Sequence, residues 1–214
     1  MGQAQVSLGE RLLVASHNAK KLAEFTELLS PLGVEVIGAG AMGLAEPDET
    51  DNTFEGNAAI KAEAACAATG LPALSDDSGI VVDGLGGAPG VYSADWAGPG
   101  KDFAPAMARV LAELAEKGSH APETRTARFV SVLALARPGE PTVFFRGETE
   151  GVINDGPRGN GGMGYDPIFV PADGDGRTFA EMTTAEKAGL SAPLSHRARA
   201  LAALLAAVTP EAAA

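Results

Sequence analysis

Arg11-Leu12-Leu13-Val14-Ala15-Ser16-His17-Asn18-Ala19-Lys20-Lys21 is the stretch on which the fold class turns. A short apolar run ending in Ser-His-Asn predicts a strand and then a tight turn. Leu22, Phe25, Leu28 and Leu29 follow at helical spacing, and Ser30-Pro31-Leu32-Gly33 stops the helix. Val34 to Ile37 predicts a second strand. Such a start belongs to the α/β class. The alternation does not persist. Thr126 to Ala136 and Thr142 to Glu148 are strand-like runs joined by Pro138-Gly139, which predicts an antiparallel pair. The expected fold is therefore α/β with a mixed β-sheet flanked by helices, not a pure doubly wound sheet.

The remaining segments fit around this frame. Thr53 opens a helix that runs to about Thr69, where Gly70-Leu71-Pro72 breaks it. Ala73-Leu74-Ser75 predicts a brief strand delivering Asp76-Asp77-Ser78-Gly79, and Ile80-Val81-Val82 another strand. Phe103 to Lys117 reads as an amphipathic helix, Ile168-Phe169-Val170 as a strand, and Ser195 to Val208 as an Ala/Leu helix. Residues 1–10 are expected to be a ragged tail, 11–208 one domain, and 209–214 a C-terminal tail.

Composition excludes several functions. The chain has 214 residues, of which 45% are hydrophobic and 21% charged, as in an ordinary globular protein. Lys plus Arg number 16 against 28 Asp plus Glu, a net charge of -12. That balance argues against a duplex nucleic-acid binder and against attachment to an anionic membrane. Cys66 is the single cysteine, so no intrachain disulfide or cysteine zinc site is expected. Three histidines make a multi-histidine metal centre improbable on count alone. No apolar run approaches the ~20 residues that span a bilayer. Met1 to Glu10 lacks the basic and apolar regions of a signal peptide, which gives a cytoplasmic expectation.

Five clusters could carry chemistry. Ser16, Asn18 and Lys21 stand where a strand feeds a helix N-terminus, a place suited to anions. The plain alternative is a helix cap with solvated lysines. Asn57 and Lys61, four apart, share a helix face and could turn a cation toward an anionic ligand. Asp76 and Asp77 are adjacent carboxylates that fit Mg2+, with more acids available at Glu46, Asp48 and Glu49. Gly161-Gly162-Met163-Gly164-Tyr165-Asp166 could let backbone approach a flat ligand. Ser195-His196-Arg197, with Lys187 upstream, could donate to a base carbonyl. Lysines for phosphates, acids for a cation and a glycine loop for something planar share one chemistry. Cys66, mid-helix among alanines, reads as buried filler.

These segments, in this order from about Leu12 to Leu205, resemble the Ham1/RdgB family of inosine and xanthosine triphosphate pyrophosphatases. The resemblance rests on Ala15 to Lys21, Thr53-Phe54-Glu55-Gly56-Asn57-Ala58 with Lys61-Ala62, and Asp76-Asp77-Ser78-Gly79. It continues through Leu85 to Gly90 with Tyr92-Ser93-Ala94, Gly164 to Phe169, Ala180-Glu181-Met182, Glu186-Lys187 and Ser195-His196-Arg197. It implies an elongated mixed sheet in two lobes with a central cleft, a homodimer, and Mg2+-dependent hydrolysis of ITP, dITP and XTP to monophosphate and pyrophosphate. Carried over, Ser16, His17, Asn18, Ala19, Lys20, Lys21 and Lys61 hold the triphosphate, and Asp77 is the catalytic residue. Asp48 or Glu49 shares the metal with Asp77. Tyr165, Asp166, His196 and Arg197 recognise the base, with Ser78, Met163, Gly164 and Lys187 as further contacts.

Three positions depart from the family pattern. Asp95 stands where a basic residue is usual, Met163 replaces a stacking aromatic, and Ala188 to Leu194 is longer than the usual link. Two other functions remain compatible with the residues: a Maf-like nucleotide pyrophosphatase of different base preference, and a nucleotide-binding protein with reduced turnover.

Overall fold

The computed structural model describes residues 5–189 and 192–208, apart from the Lys20 side chain. Its strands are β1 (Arg11–Val14), β2 (Glu35–Gly38), β3 (Ala73–Val82), β4 (Thr126–Ala136), β5 (Val143–Ile153) and β6 (Phe169–Pro171). They form a 6-stranded sheet in the order β2-β1-β3-β4-β5-β6. β1 is parallel to both β2 and β3, whereas β5 and β6 are antiparallel, so the sheet is mixed as the sequence predicts. The helices are α1 (Ala19–Leu29), α2 (Phe54–Thr69), α3 (Phe103–Glu116), α4 (Thr184–Ala188) and α5 (His196–Ala207). Among the described residues no helix is long and apolar enough to cross a membrane.

Strand order creates the place where a ligand can bind. The chain passes from β1 through α1 to β2 on one side of β1, then from β2 through α2 to β3 on the other. Right-handed crossovers require those helices to lie on opposite faces. The contacts agree. Lys21 of α1 reaches Asp76, while Ser75 donates to the Ala58 carbonyl of α2 at 2.5 Å. Successive strand residues point to opposite faces. Pairing of β1 with β3 ends at Val14 and Leu74, and the Ala15 N–H donates to the Leu74 carbonyl. Ser75, Asp76 and Asp77 thus run on past the carboxyl end of β1. A reversal of strand order at carboxyl ends is the usual ligand crevice of an open α/β sheet.

The aspartates do not end a brief strand, as the sequence suggests. β3 is a single element of 10 residues that continues through Asp-Asp-Ser-Gly. Asp76 and Asp77 are 4% and 7% exposed. Each lies near a lysine, and that compensation lets the strand carry carboxylates inward instead of turning them out to water.

The contacts divide the chain into two units. The first gathers Met1–Asp77, Val132–Phe145 and Ala203–Ala214, and the second Ser78–Ser131 and Arg146–Ala202. In the first, α2 buries Phe54, Asn57, Ala58, Lys61, Ala62, Ala65 and Cys66. That is one stripe at helical spacing, filled mainly by small residues that let the helix lie close to β1 and β3. Burial also pushes the Cys66 thiol up, with Glu63 adding to the shift. Residues 1–10 are expected as a tail, yet Val6 and Leu8 are buried, and the Val6 N–H donates to Ala207 at 2.8 Å. Residues 1–4 and 209–214 lie outside the described residues.

The second unit has an aromatic core. Phe129 packs edge-on against Phe169 and stacks on Phe179, with centroids 4.7 and 5.9 Å apart. Tyr165 meets Phe103 edge-on at 5.4 Å and donates its hydroxyl to the Ser93 carbonyl at 3.0 Å. Arg125 is buried too, and its Nε and Nη2 donate to the carbonyls of Ile153 and Asn154. Burial raises the Tyr165 phenol to about 12. A pH titration of phenolate absorbance should show one of the two tyrosines ionising only near pH 12. The neutral phenol is favoured by the fold. Its contribution to stability is complete below about pH 10 and is lost as pH rises toward 12. A single transition centred near pH 10, roughly the ordinary phenol value, for both tyrosines would remove that burial effect.

Candidate active site

In the first unit, the turn after β1 is a cap. The Asn18 N–H donates to Ser16 Oγ at 3.2 Å, and Asn18 Oδ1 accepts from the Lys21 N–H at 3.4 Å. Both side chains thereby serve the start of α1, and Ala19 and Asn18 are exposed there. Lys20 is expected beside them, and its side chain lies outside the described residues. Lys21 Nζ donates to both oxygens of Asp76, at 2.8 and 2.7 Å. Asp76 thus holds the lysine that the sequence assigns to phosphate.

Lys61 is the exceptional residue. It is 6% exposed on the sheet-facing side of α2 and donates to Glu49. Burial pulls its ammonium down, but the hydrogen bond to Glu49 and the charges of Asp77, Glu49 and Asp76 outweigh it, and the net shift is upward. Three carboxylates therefore bear on one buried cation that keeps its charge at neutral pH. The strand brings Asp76 and Asp77, the helix brings Lys61, and the 44–51 loop brings Glu49.

That loop is pinned at both ends. His17 Nε2 and the Leu44 carbonyl are 2.9 Å apart, and His17 Nδ1 lies 3.8 Å from Glu46. At the other end the Asp51 N–H donates to Asn57 Oδ1 at 2.9 Å. Asp51 Oδ1 accepts from both the N–H and the hydroxyl of Thr53, and Thr53 Oγ1 caps α2 by accepting from the Gly56 N–H. Those hydrogen bonds hold the Asp51 carboxyl below its ordinary value. Lys61, His17, Leu44, Glu46 and Pro47 line a pocket open to solvent.

Among the described residues no group of three His, Cys, Asp or Glu side chains makes a ready metal cage. Magnesium needs none, because it commonly takes one or two carboxylates and fills its shell with waters and phosphate oxygens. The oxygens of Asp77 and Glu49 are hard donors already turned toward a cation, and in type they fit such an ion. Asp48, the alternative ligand expected from the sequence, is exposed.

In the second unit, Asp166 is the organising residue. It is 8% exposed and accepts from the Met163 N–H at 3.1 Å and from Lys187 Nζ at 2.9 Å. Met163 is left 52% exposed on a fixed backbone. The glycines of this loop approach protein, contrary to the expectation that they serve a flat ligand. Gly161 donates to the Ala180 carbonyl at 3.0 Å, and a Cβ on Gly161 would stand 2.9 Å from that oxygen. A Cβ on Gly162 would run into the Asp166 carboxylate. Gly164 has φ +62, a conformation that favours glycine. Tyr165, expected to meet the base, is 2% exposed and belongs to the core.

Lys187 ends α4, whose capping box joins Thr183 and Glu186. Arg177 and the Thr183 backbone and hydroxyl bring the Glu186 carboxyl down to about 2. The Leu194 and Ser195 N–H groups both return to the Lys187 carbonyl, at 3.3 and 3.0 Å. Those two hydrogen bonds hold Lys187 next to the start of α5. His196 begins that helix with its ring stacked on Phe129, centroids 4.7 Å apart and planes 11° from parallel. Arg197 follows it, half-buried. Ser78 donates to Ser131 at 3.1 Å, and Asp95 is exposed. The sequence singles out Asn57 with Lys61 but not Asp51, whose only signal is an Asp-x-Thr pattern that fits an Asx-type turn before the helix. Arg125 carried no comparable signal.

A model of the Ham1 family matches residues 12–207. The chain is 55% identical over 193 residues to a dITP/XTP pyrophosphatase of Rhodopseudomonas palustris, covering 89% of this chain and 91% of that one. It is 57% identical over 197 residues to a dITP/XTP pyrophosphatase of Brucella melitensis, covering 89% of each. A solved HAM1 protein from Coxiella burnetii superposes with a TM-score of 0.82 at 39% identity, over 89% of this chain and 94% of that one.

Replacing Lys61 by Met would leave Asp76, Asp77 and Glu49 without their shared buried cation. Lys61→Met should destabilise the fold by roughly 3 kcal/mol at pH 7. The loss should be smaller at pH 5, because protonation of a crowded carboxylate relieves repulsion. Urea midpoints at the two pH values measure this, and equal losses would mean that the three acids do not share Lys61.

Proposed function

The chain belongs to the Ham1 family, and on that footing we propose that it hydrolyses dITP, ITP and XTP to the nucleoside monophosphate and pyrophosphate. The observation that carries this is the buried Lys61 facing Asp77 and Glu49 at the carboxyl ends of β1 and β3. Family membership favours this chemistry over a Maf-like base preference. Retention of Asp77 and the lysines favours an enzyme over a silent binder.

The polyphosphate falls to the first unit. Lys61 and Lys21 supply positive charge, and the start of α1 offers N–H groups and the positive end of its dipole. A phosphate oxygen arriving there would compete with Asp76 for Lys21 and with Glu49 for Lys61. A divalent ion, Mg2+ in our reading, would be held by Asp77 and Glu49, and when bound it supplies charge stabilisation at the phosphate oxygens. Asp77 accepts a proton from water as the water oxygen bonds to the α-phosphorus. The bond from that phosphorus to the bridging oxygen breaks, and pyrophosphate leaves with the electron pair. Positioning and charge stabilisation do most of the work in phosphoryl transfer.

The base falls to the second unit. Hypoxanthine and xanthine carry an oxygen acceptor at the 6-position, and adenine carries an amine donor. His196 and Arg197 supply the matching donors, and adenine would leave them unpaired. The N–H groups of Gly161 and Met163 are already committed within the protein. Exposed Met163 covers the ring face with a polarizable thioether. Asp166, Lys187, Tyr165 and Ser78 hold this surface in place. The same reading takes the protein to be a cytoplasmic homodimer.

Release of pyrophosphate from ITP, XTP, ATP and GTP tests the proposal. ITP and XTP should be preferred, and EDTA should abolish turnover. Asp77→Asn should lower kcat by about 100-fold or more with the fold retained by circular dichroism. A folded Asp77→Asn variant with near-normal kcat would remove Asp77 from the reaction, and equal turnover of all four nucleotides would remove the base preference.

A further inference from the structure

The 44–51 loop carries Glu49 but has no regular secondary structure after Gly43. Such a segment could offer its carboxylate in many positions. Asn57 limits them. It is 2% exposed, and its Oδ1 accepts from the Asp51 N–H. One helical turn further along the same face, Lys61 receives Glu49. Four residues of helix rise about 6 Å, and two residues of extended chain reach about 6.6 Å. The spacing of Asn57 and Lys61 on α2 therefore matches the spacing of Asp51 and Glu49 on the loop. The helix acts as a two-point gauge, fixing the loop by backbone at one point and by carboxylate at the other.

A second feature keeps the first point closed. Asp51 folds its carboxylate back onto Thr53, and a Cβ on Gly56 would occupy that carboxylate's place. Gly56 is helical, with no positive φ to explain it. It also costs helix stability relative to Ala, about 1 kcal/mol. Its lack of a side chain makes room for Asp51.

We propose that Asn57 is a positioning residue, which with Gly56 sets the register of the 44–51 loop so that Glu49 stands opposite Lys61 and within reach of the metal-bound triphosphate. Asn57 makes no contact with substrate in this scheme and acts through Asp51 and the loop backbone. The inference rests on the pyrophosphatase reading given above for its consequence, but not for its geometry. Partners that orient metal ligands from behind commonly contribute 10–100-fold to affinity or activity.

Hydrogen exchange reads the geometry directly in the wild-type protein. The Asp51 amide should exchange at least about tenfold more slowly than the Asp48 amide, and equal rates would overturn the proposal. Asn57→Ala and Gly56→Ala should each abolish that protection. With ITP, each should raise the Mg2+ concentration needed for half-maximal rate by about tenfold, with the nucleotide KM at saturating Mg2+ within about twofold of wild type. Asn57→Asp, which keeps the acceptor oxygen, should restore the Asp51 protection. A folded Asn57→Ala or Gly56→Ala protein with unchanged Mg2+ dependence would overturn the positioning role. If the wild-type protein released no pyrophosphate, the enzymatic reading would fall, and the exchange measurement would still decide the loop register.

Discussion

A lysine ammonium taken out of water organises the first unit. Leaving Lys61 buried and alone would cost far more than the fold can spare. Glu49, Asp77 and Asp76 make its burial tolerable, and Lys61 in turn offsets the burial of Asp77 and Asp76. The loop, the strand and the helix are thereby tied to one another through charge. The proposed function assigns the triphosphate and its cation to the same residues. In the function proposed above, a substrate would exchange one set of ionic partners for another.

The second unit solves a different problem with different means. Its task is to hold a surface still. Phe129, Phe169 and Phe179 form a rigid base under His196. Asp166 fixes the Met163 backbone and Lys187 together. Arg199 gathers the carbonyls of Pro193 and Glu148 and the carboxylate of Asp173. Charge here fixes orientation, whereas in the first unit it offsets burial.

Much of the fold was legible because it depends on local pattern. The strand-turn-helix from Arg11, the α2 boundaries and the mixed sheet all follow from periodicity and breakers. The shared face of Asn57 and Lys61 was legible for the same reason, since spacing of four residues fixes it. What escaped was set by partners distant in sequence. Asp76 and Asp77 looked like a strand end because adjacent acids usually seek water, and only Lys21 and Lys61 make a continuous strand possible. The glycines from Gly161 to Gly164 looked like a ligand platform, although backbone contact with Ala180 and the Asp166 side chain explains Gly161 and Gly162. Tyr165 looked like a base contact because composition does not tell whether an aromatic ring faces a groove or the interior.

The paired return of Leu194 and Ser195 to Lys187 has a practical corollary. Both hydrogen bonds converge on a single carbonyl, so the start of α5 is joined to the end of α4 by backbone alone. Substitution of the Lys187 side chain should therefore leave this junction intact, because both hydrogen bonds go to its carbonyl.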